Sequence, residues 1–314
     1  MGRDLRFVPP GSLVEVTVRT LHGRFLLRPS QDLNAIATGI LARAARRYDV
    51  ALVAFVVLSN HAHLLLLPGD ARRLAAFMNY ANGNLAREVG RLHGWRERIW
   101  GRRYRAIVVS DEEEAQVARL HYVLAQGCRE GLVRSPREWP GASSTETLLT
   151  GRPVEGLWFD RTAEFFARRR GERPGKYDYS LREQLTLEPL PCWKGHPAEH
   201  RQALVAELIR EIEQTTRAEL AAAGRAPLGR RRILAQHPHA APALCHRSPA
   251  PRFHAASRAA RRGLELAYFL FRLAFRQAAE ALRRGVRAEF PPGSFPRPCR
   301  FARRWRRPSC TEPS

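Results

Sequence analysis

The stretch Val56-Val57-Leu58-Ser59-Asn60-His61-Ala62-His63-Leu64-Leu65-Leu66-Leu67 constrains the fold of this chain most, because it sets two imidazoles one residue apart in an otherwise apolar run. In a β-strand, side chains two apart share a face and stand about 7 Å from each other along the backbone. His61 and His63 therefore converge, while Ala62 turns to the opposite face. A strand this apolar is core. Two adjacent polar rings in a core call for a metal ion or a network of hydrogen bonds, and the two residues alone leave both readings open.

The flanking periodicity alternates between strand and helix. Leu13–Arg19 alternates at period two and predicts a half-buried strand; His22-Gly23 then predicts a turn, with a short strand over 24–27. Residues 32–47 place Leu33, Ile36, Ile40, Leu41 and Ala44 at helical spacing behind an N-cap at Ser30. Two strands over 51–58 and 62–67 are joined by a hairpin at Ser59-Asn60-His61, and Asp70 caps a long helix over 71–92 that Gly94 ends. A strand over 104–109 leads to Ser110 and Glu113, a capping-box pair, and to a helix expected to run to Gln126 and stop at Gly127. The acidic run Asp111 to Glu114 fits a solvated helix start, where the dipole favours negative charge, better than a set of carboxylate ligands. This order predicts an α+β domain with a mainly antiparallel sheet covered by helices.

The remainder is less regular. Residues 136–145 read as irregular, 158–170 as a short helix, and the basic, glycine- and proline-containing stretch 168–179 as a linker. Helices are expected over 199–223 and 257–285, the second with Leu264, Tyr268, Phe271, Phe275, Ala279 and Leu282 on one stripe. Between them, residues 238–251 carry too many histidines and prolines for regular structure. The resulting division is an α+β domain over 1–150, an extension and linker over 151–190, and a helical, basic accessory region over 191–314.

The helix after Ser110 contains Tyr122 and Gln126, four apart and so on one face. If that face covers the histidine strand, Gln126 offers a third ligand to a divalent ion and Tyr122 sits one turn away. Two imidazoles and an amide oxygen leave open positions for a phosphate oxygen. A phenol with an ordinary pKa near about 10 is a poor nucleophile unless its target is polarised. Attack on phosphorus would form a phosphotyrosine, release a sugar hydroxyl and conserve the energy of the broken bond. Tyr80 and Tyr104 are weaker rivals: Tyr80 has no Gln or His four residues on, and Tyr104 lies at a basic strand start.

Taken together, Ser59-Asn60-His61-Ala62-His63, Phe77-Met78-Asn79 with Asn84, Ile99-Trp100-Gly101-Arg102-Arg103-Tyr104-Arg105-Ala106, and Tyr122-Val123-Leu124-Ala125-Gln126 leading to Glu130-Gly131-Leu132-Val133 resemble the HUH single-tyrosine transposases. Within that group the spacing is most similar to the REP-associated tyrosine transposases, and the likeness covers roughly residues 9–146, including Trp139-Pro140 and Ser143-Ser144. The resemblance implies a ferredoxin-like fold that cuts and joins single-stranded DNA next to hairpins. It implies His61, His63 and Gln126 as ligands of Mg²⁺ or Mn²⁺, and Tyr122 as the nucleophile that forms a 5′-phosphotyrosine and leaves a 3′-hydroxyl. One departure is Gln126-Gly127, where many REP-associated members read Asn-Pro.

Composition agrees with a polyanionic partner. The chain carries 53 basic and 30 acidic residues, net +23, and only Lys176 and Lys194 are lysines. Arginine's planar fork suits phosphate, although a GC-rich genome also favours arginine over lysine. Arg102, Arg103 and Arg105 beside Trp100 form a candidate DNA-binding stripe, to which Asn60 and Asn84 add candidate substrate contacts. The tail cluster Arg300, Arg303, Arg304, Arg306 and Arg307 around Trp305 is a further candidate. Five cysteines without a C-x-x-C pair argue against a disulfide framework or a zinc ribbon, and no apolar run is long enough to span a membrane. The expected protein is cytoplasmic, nucleoid-associated and partnered by single-stranded or hairpin DNA, with a homodimer left open. Two other functions compete: a domesticated DNA-binding protein whose chemistry has decayed, and a metal-dependent hydrolase in which water attacks.

Overall fold

The computed structural model describes residues 5–243 and 251–295. Strand β1 (Leu13–Arg19) leads to helix α1 (Gln31–Tyr48), the hairpin β2 (Ala51–Val57) and β3 (His61–Leu67), helix α2 (Ala71–His93), strand β4 (Arg105–Val109) and helix α3 (Glu113–Leu124). The sheet order β2-β3-β1-β4, with every neighbouring pair antiparallel, is the ferredoxin-like arrangement. Both predicted caps form: Ser30 accepts the Leu33 amide and Asp70 the Arg73 amide, each satisfying an orphan donor of the first turn. Gly94, at φ 62°, ends α2 in the left-handed conformation that a glycine adopts without steric cost.

Strand alternation divides the sheet into two buried faces. Val14, Val16, Val18, Ala62, Leu64 and Leu66 pack with α1 and α2. Leu13, Val53, Val56 and Leu65 pack on the other side with Leu120 and Val123 of α3. The polar residues of β1 and β3 thus lie beneath α3 and not in solvent, so the half-buried reading of β1 is corrected: Glu15 is only 1% exposed.

After α3 the chain makes a further turn, α4 (Gln126–Arg129), so the helix expected to run on to Gln126 breaks at Ala125 and Gly131 ends the segment at φ 66°. The predicted capping box is also corrected. Glu112 is the N-cap residue, and Ser110 Oγ donates to its carboxylate. Residues 24–27 are not a strand. A short 3-10 turn over Leu21–Gly23 precedes them, and Phe25 and Leu27 donate their amides to Ala240 and Ser59.

The region read as a helix and linker contains an unpredicted hairpin. After α5 (Thr145–Thr150), β5 (Val154–Phe159) pairs with β6 (Ser180–Leu185), with α6 (Arg161–Arg169) between them. The hairpin lies on α1 so closely that a Cβ on Gly39 would fall 2.4 Å from the Leu157 backbone. Buried Glu183 ties β6 to Arg43 and Arg46 of α1. In the supposed linker, Lys176 pairs with Asp32 at 2.9 Å.

The C-terminal part is helical as expected, but it is built onto the same sheet. Helix α7 (Ala198–Ala222) buries Val205, Ile209 and Ile212 in the α3 core, joined by Ile233 of α8 (Arg230–Leu234). Strand β7 (Phe253–His254) adds parallel to β4, and Glu112 accepts the amides of Ala256 and Ser257 at the start of α9 (Arg258–Arg283). Tyr268, Phe271 and Phe275 of α9 pack on Leu5, Phe7 and Phe253, while Leu266, Phe269, Leu270 and Leu273 on the same helix are exposed. No described helix is long and apolar enough to cross a membrane. Cys245, Cys299, Cys310, the arginine-rich tail and residues 244–250 of the irregular stretch lie outside the described residues.

Candidate active site

The antiparallel register places Thr17 opposite both His63 of β3 and Arg105 of β4, so the three form one row on the α3 face of the sheet. One pair along, Arg19 lies opposite His61. The two imidazoles lie edge to face with ring centroids 5.1 Å apart. The convergence expected from the two-residue spacing is therefore present, and both rings are buried.

Each ring is oriented by an acceptor on its Nδ1. Glu15 Oε1 lies 2.7 Å from His63 Nδ1, and Asn60 Oδ1 lies 2.6 Å from His61 Nδ1. A carboxylate and an amide oxygen can only accept, so each Nδ1 carries a proton and each Nε2 lies on the ring edge away from that acceptor. Burial, with His63 and Arg19 nearby, pushes the His61 pKa down to about 3, so that ring is neutral. Burial alone would raise the Glu15 carboxyl, but its hydrogen bond to His63 and the charges of His63 and Arg119 outweigh this and hold it below the usual range. Arg119 Nη1 donates to the second carboxylate oxygen at 2.7 Å.

Helix α3 brings Tyr122 to the histidines. Its ring lies edge-on to His63 with centroids 5.7 Å apart, and the Arg119 and Arg129 guanidiniums lie 4.8 and 5.0 Å from its centre. Gln126 Nε2 donates to the Tyr122 carbonyl at 2.9 Å, and the same buried side chain hydrogen-bonds His61. The Glu130 carboxylate stands 3.5 Å from His61 Nε2. Among the described residues, no group of three or more His, Cys, Asp or Glu side chains is set to hold a metal ion. The donors assembled here are two imidazole Nε2 atoms and an amide, residue types that fit a divalent cation, with the hydrogen-bonded Nδ1 groups that histidine ligands generally show.

The proposed DNA contacts divide. Arg105 shares the histidine face, whereas Trp100 and Tyr104 pack toward the α1 and α2 core. Residues 99–101 run along the end of β1, with Gly101 donating to the Arg19 carbonyl; a Cβ on Gly101 would sit 3.0 Å from the Thr20 carbonyl oxygen. Among the described residues, Arg102, Arg103 and Arg105 have no acidic partner. Asn60 and Asn84 are engaged internally: Asn60 is buried on His61, and Asn84 donates to the Tyr80 carbonyl of its own helix. Of the rival tyrosines, Tyr80 meets Tyr48 edge-on and Tyr104 stacks with Arg6, both away from the histidines.

Sequence reasoning missed Glu15, Arg19, Arg119, Arg129 and Glu130. Glu15 carried a signal, a carboxylate placed between valines two residues before Thr17.

Residues 28–126 match the family model described as "Transposase IS200 like". This segment is similar to the IS200-like transposases. It contains His61, His63, Tyr122 and Gln126, and Glu15 lies outside it. Among solved structures, the chain is similar to a REP-associated tyrosine transposase bound to a REP hairpin, at 18% identity and a TM-score of 0.38 over 47% of this chain and 85% of that one. It is also similar to a Deinococcus radiodurans protein described as a transposase, at 21% identity and a TM-score of 0.28 over 38% of this chain and 95% of that one. No curated protein matches the chain.

Proposed function

We propose that this protein cuts and rejoins single-stranded DNA by transesterification, with Tyr122 as nucleophile, at hairpin or repeat sequences. One observation carries the reading: residues more than a hundred positions apart in sequence converge so that two histidines, each oriented through its Nδ1, lie side by side with the ring of His63 against that of Tyr122. A hydrogen-bonded core pair needs no tyrosine and no unpaired arginines beside it.

His61, His63 and Gln126 would hold Mg²⁺ or Mn²⁺. The ion would supply Lewis-acid polarisation of a phosphodiester oxygen and charge neutralisation. The chain's own residues do the rest. The Tyr122 phenolic oxygen bonds to phosphorus, its proton passes to solvent, and the bond from phosphorus to the 3′ oxygen of the preceding sugar breaks. The products are a 5′-phosphotyrosine and a 3′-hydroxyl. Attack by another 3′-hydroxyl reverses the step with no loss of bond energy, which permits rejoining. Glu15 and Asn60 keep the imidazoles aimed, and Arg119 and Arg129 flank the nucleophile with positive charge. Arg102, Arg103 and Arg105 hold the DNA backbone, with Trp100 as a stacking surface. We assign the chemistry to residues 1–150 and a supporting role to 191–314, whose α7 braces α3.

Incubation with Mn²⁺ and labelled hairpin DNA from the gene's own flanks tests this. A denaturation-resistant adduct lost in Tyr122→Phe supports it. Cleavage that survives the substitution indicates a hydrolase, and binding without cleavage indicates a decayed DNA-binding protein.

A further inference from the structure

A second cleft, of about 530 Å³, runs along α2 on the sheet face opposite Tyr122. Its floor is one helical stripe, in which Asn79 and Asn82 alternate with small residues including Gly83. A Cβ on Gly83 would meet nothing within 4 Å. Glycine inside a helix costs about 1 kcal/mol relative to alanine, and no packing contact here requires it; its effect is to keep the cleft open. The Asn79 and Asn82 side-chain amides make no hydrogen bond to any described residue.

The walls are aromatic and cationic. Trp100 is fixed by its Nε1 donating to the Asn82 carbonyl at 2.9 Å, and Tyr104 carries the Arg6 guanidinium 3.9 Å from its ring centre. Arg102 and Arg103 line the cleft, and no acidic residue does. Another cleft, of about 360 Å³, contrasts with it. There Glu164 holds Arg161 and Arg168, and Asp32 holds Lys176, so its charges are already compensated.

We infer that the α2 cleft binds an unpaired nucleotide of single-stranded DNA. The base would lie against Trp100 and the Tyr104–Arg6 stack, its edge would meet the Asn79 and Asn82 amides, and its phosphates would meet Arg102 and Arg103. The volume suits one nucleotide. Residues 99–101 join this cleft to the end of β1 beside Arg19, the cross-strand neighbour of His61. A strand held at Tyr122 can therefore pass around the sheet end and be anchored by a base on the other face, which fixes the position that is cut. This inference rests on the single-stranded DNA reading above.

The test is binding by the full-length Tyr122→Phe protein of an oligodeoxyadenylate of about twelve nucleotides and of an abasic strand with the same phosphates, read by fluorescence anisotropy. The expected result is about tenfold tighter binding of the strand that carries bases. Gly83→Leu, which fills the cleft, should abolish that difference, Asn79→Ala/Asn82→Ala should reduce it, and both should leave abasic binding unchanged. Equal binding of the two strands by the Tyr122→Phe protein overturns the inference. So does a Gly83→Leu protein with unaltered unfolding midpoint that keeps the preference. Failure of the transesterification reading shows separately, as absence of a covalent adduct with otherwise wild-type protein.

Discussion

Glu15→Ala is the substitution with the sharpest expected consequence. The carboxylate is 1% exposed and accepts from His63 Nδ1 and Arg119 Nη1, both at 2.7 Å. Removing it leaves Arg119, itself 7% exposed, as a buried charge without its partner. Breaking a buried pair from one side costs about 3–5 kcal/mol, far above the 0–1 kcal/mol of an exposed pair. Cavity formation from the lost methylene and carboxyl adds in the same direction. Denaturant unfolding in the presence of chelator reads this loss directly. Glu15→Ala combined with Arg119→Ala should recover part of it, because the orphaned charge goes too. Isothermal titration with Mn²⁺ reads the second consequence: without the carboxylate charge that raises its ligand basicity, His63 should bind about 10–100-fold more weakly in a folded Glu15→Gln protein. Stability within 1 kcal/mol of wild type, together with unchanged Mn²⁺ affinity, would refute the assigned role.

In metal-free protein, His61 makes stability acid-sensitive. Its folded pKa of about 3 lies below the unfolded value of 6.5, so below pH 6.5 the unfolded chain binds a proton that the folded one refuses. From pH 6.5 to about pH 4.5 this removes about 2 kcal/mol, and an unchanged slope in His61→Gln would count against it. Gly39→Ala places a Cβ 2.4 Å from the Leu157 backbone, and the resulting overpacking should cost about 1–3 kcal/mol in thermal unfolding despite a better helix propensity. Replacing both Arg102 and Arg103 by alanine should lower the slope of log K against log salt for single-stranded DNA by about 1.4, and an unaltered slope would remove them from the phosphate path.

The strands and helices of the first 124 residues were legible because their apolar periods and caps agree: Ser30, Asp70 and Gly94 each punctuate the helix their position predicts. Glu15 was obscured by the same rule. Period-two alternation in β1 signals one polar face, and only the covering helices reveal that this face is interior. The β5–β6 hairpin was missed because Glu155, Arg182 and Gln184 make its strands polar, and its attachment depends on backbone contact at Gly39 and on one buried carboxylate, Glu183. The integration of α7 and β7 into the first domain was invisible for a related reason: an amphipathic stripe states that something covers it, not what. At the site, spacing alone brought His61 and His63 together and placed Gln126 beside Tyr122, while the residues that orient them come from β1, Asn60 and α3 and needed the fold.

The central claim is that the histidine face presents a phosphodiester to Tyr122. Peptide mapping by mass spectrometry of protein incubated with Mn²⁺ and hairpin DNA tests it directly. The expected product is a nucleotide joined through its 5′-phosphate to the peptide containing Tyr122, with the released strand bearing a 3′-hydroxyl that a polymerase can extend. Cleaved DNA with an unmodified Tyr122 peptide, or a phosphotyrosine at Tyr80 or Tyr104, would contradict it.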